Sequence, residues 1–153
     1  MKKEGITLYF ASDHAGFEMK KELIHYARNL GYVSEDCGAF EYDETDDYPD
    51  FIAKAAQMVS EDPEHRKAIV LGGSGEGEDM VAGKFPHIRS AVYYGGPLEV
   101  VKLSREHNNA NVLSLGARFI DIASAKKAVE LWLETPFSGD ERHVRRIEKL
   151  DNL

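Results

Sequence analysis

The chain has 153 residues, 42% of them hydrophobic, 10% aromatic and 30% charged, which suits one globular unit with a real core and excludes disordered, collagen-like and coiled-coil classes. Nineteen basic against 27 acidic residues leave a net charge of -8, so a sequence-independent grip on nucleic acid or an anionic membrane is excluded and any anionic ligand needs a local cluster of donors. A single cysteine, Cys37, with neither a signal peptide nor an apolar run of membrane-spanning length, points to the cytoplasm.

Short β-rich apolar runs alternate with helical patterns along the whole chain. Residues 6–11 predict a first strand, and residues 17–30 a helix that sets Phe17, Leu23, Ile24, Ala27 and Leu30 along one stripe. A second strand is predicted at 32–36. The acidic stretch 41–47 reads as a solvated loop rather than a metal site, because no histidine or cysteine accompanies it. Helices follow at 48–60, 76–84, 97–106 and 120–134, and strands at 68–71, 90–94 and 111–115. Strand-helix alternation of this kind predicts one domain over 1–153, with a five-stranded, mainly parallel sheet between two helical layers. Ligands in such sheets sit beyond the carboxyl ends of the strands. The final stretch, from about 137 to 153, is rich in both charges and reads either as a solvated terminal helix or as an arm reaching into a site.

Three polar clusters carry possible chemistry. Ser12-Asp13-His14-Ala15-Gly16 follows the first strand, where Asp13 and His14 could bind sugar hydroxyls and phosphate, or Asp13 could simply cap the helix. Gly72-Gly73-Ser74-Gly75-Glu76-Gly77-Glu78 follows the third strand and opens a helix. Its glycines let backbone N–H groups point at an anion. The spacing fits neither the Rossmann dinucleotide fingerprint nor a Walker loop. Glu78 in the first turn either complements the helix dipole or serves as a base beside donors that stabilise the charge it creates. The third cluster, Arg105-Glu106-His107-Asn108-Asn109-Ala110-Asn111, leads into the last predicted strand, after which stands Arg118. These side chains suit hydroxyls and phosphate, or are turn residues and a surface charge. The clusters stand at strand ends across the chain, as one composite site would require.

Ala11-Ser12-Asp13-His14-Ala15-Gly16-Phe17, Asp36-Cys37-Gly38, Asp47-Tyr48-Pro49-Asp50-Phe51, the glycine loop and His107-Asn108-Asn109-Ala110-Asn111-Val112 together resemble the ribose-5-phosphate isomerase type B family, which includes the galactose-6-phosphate isomerases. The resemblance runs from about residue 6 to 150. It implies a Rossmann-like α/β/α sandwich that binds no nucleotide, uses neither metal nor cofactor, and forms homodimers or larger homo-oligomers with sites between subunits.

Many members carry a cysteine base just before Gly-Thr-Gly, where this chain has Gly72; one branch instead has Gly-Gly-Ser-Gly-x-Gly-Glu and uses the glutamate, which Glu78 matches. Cys37 lies on another loop and inherits no role. Gly83 stands where members usually have asparagine. Arg142-His143-x-x-Arg146 matches the C-terminal arm of the glutamate branch.

By resemblance, then, Glu78 is the carbon base of an aldose-ketose isomerisation, N–H groups about Gly73, Gly75 and Gly77 hold the oxyanion, and Ser74 shuttles a proton. Asp13, His107 and Asn108 meet hydroxyls or the ring oxygen, and His143 opens the ring. His14, Arg118, Arg142 and Arg146 hold the phosphate. The expected substrate is ribose 5-phosphate; a hexose 6-phosphate, or a non-catalytic sugar-phosphate-binding subunit, is the alternative.

Overall fold

The computed structural model describes residues 5–153. The strands are β1 (Thr7–Ser12), β2 (Val33–Asp36), β3 (Arg66–Gly72), β4 (Ser90–Tyr93) and β5 (Val112–Gly116). The helices are α1 (Phe17–Asn29), α2 (Pro49–Glu61), α3 (Glu76–Ala82), α4 (Glu99–Glu106), α5 (Ile122–Glu134) and α6 (Glu141–Asp151), with a 3-10 turn at His14–Gly16 between β1 and α1.

All neighbouring strands are parallel, in the order β2-β1-β3-β5-β4. The chain moves outward from β1 to β2, crosses to β3, goes to the far edge at β4 and returns to β5. The carboxyl ends of β1, β3 and β5 therefore lie side by side in the middle of the sheet, where the order of connection reverses and ligands are accommodated. The third strand begins two residues earlier than predicted. Arg66 and Lys67 pair with Thr7 and Leu8, and Arg66 lies over the Tyr9 ring at 5.8 Å. Long cationic side chains can join a strand end by covering apolar surface while their heads reach outward.

Alternation along the strands builds two cores. Leu8, Phe10, Ile69, Leu71, Leu113 and Leu115 pack against α1, α4 and α5, with Trp132 fully buried among them. Tyr9, Ala11, Ala68, Val70 and Val112 pack against α2 and α3. The result is a Rossmann-like three-layer sandwich. Among the described residues no helix is long and apolar enough to cross a membrane.

Lys20 is the anomaly of α1. It is fully buried, and its ammonium donates to Asp36 Oδ1 at 2.7 Å and to the Ala39 carbonyl at 2.6 Å. The contact ties the end of β2, and the start of the loop that follows it, to α1. The Asp36 side chain is 30% exposed and stays partly solvated without Lys20, so the cost of removing Lys20 lies in the emptied space and in the Ala39 carbonyl left without its donor, roughly 3 kcal/mol together. Lys20→Ala is accordingly expected to lower unfolding stability by about 3 kcal/mol, measured as a fall in the urea midpoint at unchanged slope.

Candidate active site

At the end of β1 the backbone of Asp13 is extended, and its carboxylate accepts from Ala15 N–H at 3.0 Å, capping the 3-10 turn. The capping role is therefore real, and it holds a buried carboxylate at the sheet's carboxyl edge. His14 is held by a residue from the acidic stretch. Asp46 Oδ1 accepts from His14 N–H at 3.0 Å and lies 2.7 Å from His14 Nδ1. The Asp46 side chain is only 8% exposed, which corrects the reading of residues 41–47 as merely solvated. This hydrogen bond is the main reason that His14 titrates above the ordinary histidine value, with the Asp13 and Asp46 charges acting the same way against desolvation and Arg118. Asp13, His14 and Asp46 each bring a ligand atom within 4.8 Å of the others. A nitrogen that donates its proton to Asp46 is not a metal ligand, however, so these residues fit an oriented imidazole better than a cation site.

The glycine loop joins β3 to α3. Gly75 adopts φ +85°, a left-handed conformation, as the N-cap of α3. A Cβ there would come within 3.0 Å of the Leu115 backbone, so glycine is required twice over. The loop is fixed from below by Ser114, whose buried hydroxyl donates to the Gly75 carbonyl at 2.6 Å. Ala117 and Arg118 N–H groups donate to the Gly72 and Gly73 carbonyls at 2.8 and 3.1 Å. Among the described residues the N–H groups of Gly73, Ser74, Gly75 and Gly77 have no protein acceptor, so they remain available to an anion. Ser74 Oγ accepts from Glu76 N–H at 3.2 Å. The Arg118 guanidinium lies against Gly73, where a Cβ would stand 3.0 Å from Nη1.

Glu78 is 4% exposed and folds back over Gly72; a Cβ on residue 72 would lie 1.5 Å from Glu78 Oε1. Burial is the main cause that raises its pKa, the charges of Asp13 and Glu76 push the same way, and its own backbone N–H pulls back. A carboxylate with raised pKa, deprived of water and set beside free N–H donors, is suited to take a proton from carbon. Tyr48, to which sequence gave no role, packs its ring against Gly77, where a Cβ would meet Cζ at 2.7 Å.

His107, Asn108, His143, Arg142 and Arg146 lie elsewhere. His107 follows α4, and its ring stacks on that of His143 in α6, 4.4 Å between centroids and 19° from parallel. His143 is buried. Desolvation chiefly lowers its pKa, with the His107 and Arg142 charges adding to the effect and Asp140 opposing it. His107, Asn108, His143 and Arg146 line a cavity of about 370 Å3. This cavity is at the amino end of β5, whereas Arg118 and the glycine loop are at the carboxyl ends. Five residues of strand put the two levels roughly 16 Å apart. The expectation that every cluster meets at one set of strand ends is thus corrected: His107–Asn111 leads into β5 and cannot reach Glu78 of the same chain. The C-terminal arm forms α6, in which only His143 is buried and which meets the end of α4 through the His107–His143 stack.

The His14–Asp46 contact carries a pH signature. A histidine whose folded pKa is raised contributes stability that is fully present below its unfolded pKa of about 6.5 and is lost as pH rises through the folded value. Asp46→Asn should therefore lower the His14 pKa toward about 6.5, seen by NMR titration of the ring. Its stability deficit relative to wild type should be larger near pH 6 and shrink above the wild-type His14 pKa.

Residues 8–150 match the Ribose/Galactose Isomerase family. The chain is 44% identical over 145 residues to ribose-5-phosphate isomerase B of Mycolicibacterium paratuberculosis, covering 95% of this chain and 89% of that protein. It is 35% identical to ribose-5-phosphate isomerase B of Escherichia coli, over 92% of this chain and 91% of that one. It also superposes on the crystal structure of ribose-5-phosphate isomerase B from Mycoplasma genitalium with bound ribulose-5-phosphate, at a TM-score of 0.93 and 32% identity, covering 98% of this chain and 97% of the other. Sequence and fold agree over nearly the whole length, and the chain belongs to the ribose/galactose isomerase family.

Proposed function

We propose that this protein interconverts ribose 5-phosphate and ribulose 5-phosphate in the cytoplasm, with Glu78 as the carbon base. The observation that carries the reading is the buried Glu78 carboxyl held over Gly72 beside unpaired loop N–H groups. Glu78 removes the proton from C2 of the open-chain aldose. The electron pair forms the enediolate, whose oxygen is held by N–H groups of Gly73, Gly75 and Gly77. Glu78 returns the proton to C1 while the Ser74 hydroxyl carries the oxygen-bound proton between O1 and O2. Each oxyanion donor of this kind is worth about 10² to 10³ in rate.

His14, Arg118, Arg142 and Arg146 take the phosphate, for which planar guanidinium forks are suited. Asp13, His107 and Asn108 meet the hydroxyls and ring oxygen. His143, whose pKa is lowered, opens the ring. Because the two clusters stand at opposite ends of one sheet, the site is completed by a second copy. The carboxyl end of one chain meets the His107–His143 cluster of its partner in a homodimer or larger homo-oligomer.

The pentose assignment is supported by the relatives named ribose-5-phosphate isomerase B and the likeness to a structure holding ribulose-5-phosphate. Gly83, which stands where members usually have asparagine, lies at the C-cap of α3, the end away from the loop. A Cβ there would meet only ordinary contacts, 3.5 Å to the Asp79 carbonyl. The segment after β4, where Tyr94 packs on Phe119 at 5.9 Å, is instead the stretch that sets how long a sugar the site takes.

Glu78→Gln keeps the shape but not the base, so solvent exchange of the C2 hydrogen should drop by about 10³ or more while substrate still binds; exchange near the wild-type rate removes Glu78 from the role. Mixing Glu78→Gln with Arg142→Ala chains tests the shared site. Random exchange makes half of the dimers mixed and restores one of two sites in each, about a quarter of wild-type turnover. No recovery after verified exchange places both residues in one chain's site. A hexose 6-phosphate preferred over ribose 5-phosphate by tenfold or more in kcat/KM would overturn the substrate while leaving the isomerase standing.

A further inference from the structure

A second cavity, about 430 Å3, opens at the amino end of the sheet and shares only Ile147 with the one beneath His107. Lys67 from β3, Arg89 from the loop before β4 and Arg105 from α4 converge on it, with His87 at its side. None of these residues has a part in the isomerisation.

Arg105 is 5% exposed. Its Nε donates to the Thr135 carbonyl at 3.2 Å, and its Nη1 to Asn109 Oδ1 at 2.8 Å and the Ala110 carbonyl at 2.6 Å. Every one of these acceptors is neutral. The face of Trp132 lies 5.9 Å from the guanidinium carbon. Arg89 donates from Nε to the Asn109 carbonyl at 3.0 Å. Lys67 makes no ion pair with the described residues.

Two carboxylates border the cavity. Asp151 of α6 stands 3.5 Å from Arg89 and 3.9 Å from His87, and Glu64 is exposed and unpaired among the described residues. Among the described residues, the only carboxylate in ion-pair contact with any of Lys67, Arg89 and Arg105 is thus Asp151, on Arg89. Desolvation pulls Lys67 down to about 8 and Arg105 down to about 10, and a neighbouring cation adds to each effect. The frame is rigid: Asn111, 2% exposed, accepts from Arg89 N–H and donates to the His87 carbonyl, both at 2.8 Å.

Holding Lys67 and Arg105 away from water with Arg89 beside them is costly unless an anion balances them. We infer that this cavity is a second anion site, for inorganic phosphate or the phosphate group of a small monoester, in which Arg105, Arg89 and Lys67 hold the oxygens and Asp151 is the carboxylate displaced from Arg89. Phosphate suits the geometry. Donors arrive from three elements rather than one plane, as a tetrahedral dianion requires, and the Nη2 group of each guanidinium has no acceptor among the described residues. A nucleic-acid backbone would have to approach a chain of net charge -8 to reach this concave pocket. The site stands apart from Glu78, at the other end of the sheet.

Calorimetric titration of the full chain with inorganic phosphate, and separately with glycerol 3-phosphate, tests the inference. Wild type should bind inorganic phosphate at two sites per chain, one of them the proposed substrate-phosphate site. Lys67→Met, which keeps the aliphatic stem, and Arg89→Gln should each weaken one site by about tenfold or more. Turnover of ribose 5-phosphate by Lys67→Met should stay at the wild-type level. Asp151→Asn should tighten the same site severalfold, because a competing charge is gone. Binding of only one of the two probes at the Lys67-sensitive site tells the free ion from the ester. Stoichiometry and affinity for both probes left unchanged by Lys67→Met overturn the inference, whatever happens to Arg89→Gln.

Discussion

The site turns on a single close approach, the Glu78 carboxyl lying where a side chain on residue 72 would have to be. Position 72 can carry a side chain, or position 78 can put a carboxylate in that space, but the two exclude one another. Everything about the loop serves this placement. The left-handed Gly75 turns the chain sharply enough for α3 to begin at Glu76, which sets Glu78 within the first turn. Ser114 fixes the Gly75 carbonyl from within β5, so the loop is referred to the central strands of the sheet rather than to solvent. A loop held in this way loses little entropy when an anion meets its N–H groups.

Three titratable groups are tuned by three different causes. Burial raises Glu78 and makes it a stronger base. A hydrogen bond to Asp46 raises His14 and favours its cation. Desolvation, reinforced by His107, lowers His143 and favours the neutral ring. Separating acid, base and anion-binding roles by environment lets groups of ordinary chemistry act together near neutral pH. The polarity of each shift follows the chemistry proposed for it: a carboxylate that accepts a proton from carbon, an imidazolium that meets phosphate, and an imidazole able to accept and return a proton at the ring oxygen.

Much of this was legible in the sequence because it depends on neighbours along the chain. The five strands and their helices follow from alternating periodicity, and the cap at Asp13 is settled by a residue two positions on. What escaped depends on contacts across the fold. Asp46 reaches His14 over 32 residues, and an acidic stretch gives no local sign that one carboxylate is turned inward. Tyr48 against Gly77 is the same kind of contact, between α2's entrance and a loop nearly thirty residues on. The start of β3 was hidden because Arg66 and Lys67 break the apolar run, although paired strands accept cations at their ends. The level of His107 is readable in principle, since a segment that leads into a parallel strand lies at that strand's amino end.

Parallel strands cannot bring those two levels together. In an antiparallel sheet a hairpin would return the chain to the edge it left, whereas here each helix carries it back to the opposite edge before the next strand begins. β5 is buried along its whole length and hydrogen-bonded on both sides, so it can neither bend nor slip to shorten the distance. The His107–His143 stack sets α6 at the amino edge, while Ser114 holds the loop at the carboxyl edge. If both clusters serve one proton transfer, the missing half must come from another molecule, and a two-fold axis that joins one such pair of edges joins the second pair as well. Rigidity within the chain is then what makes an assembly of chains the route to a complete site.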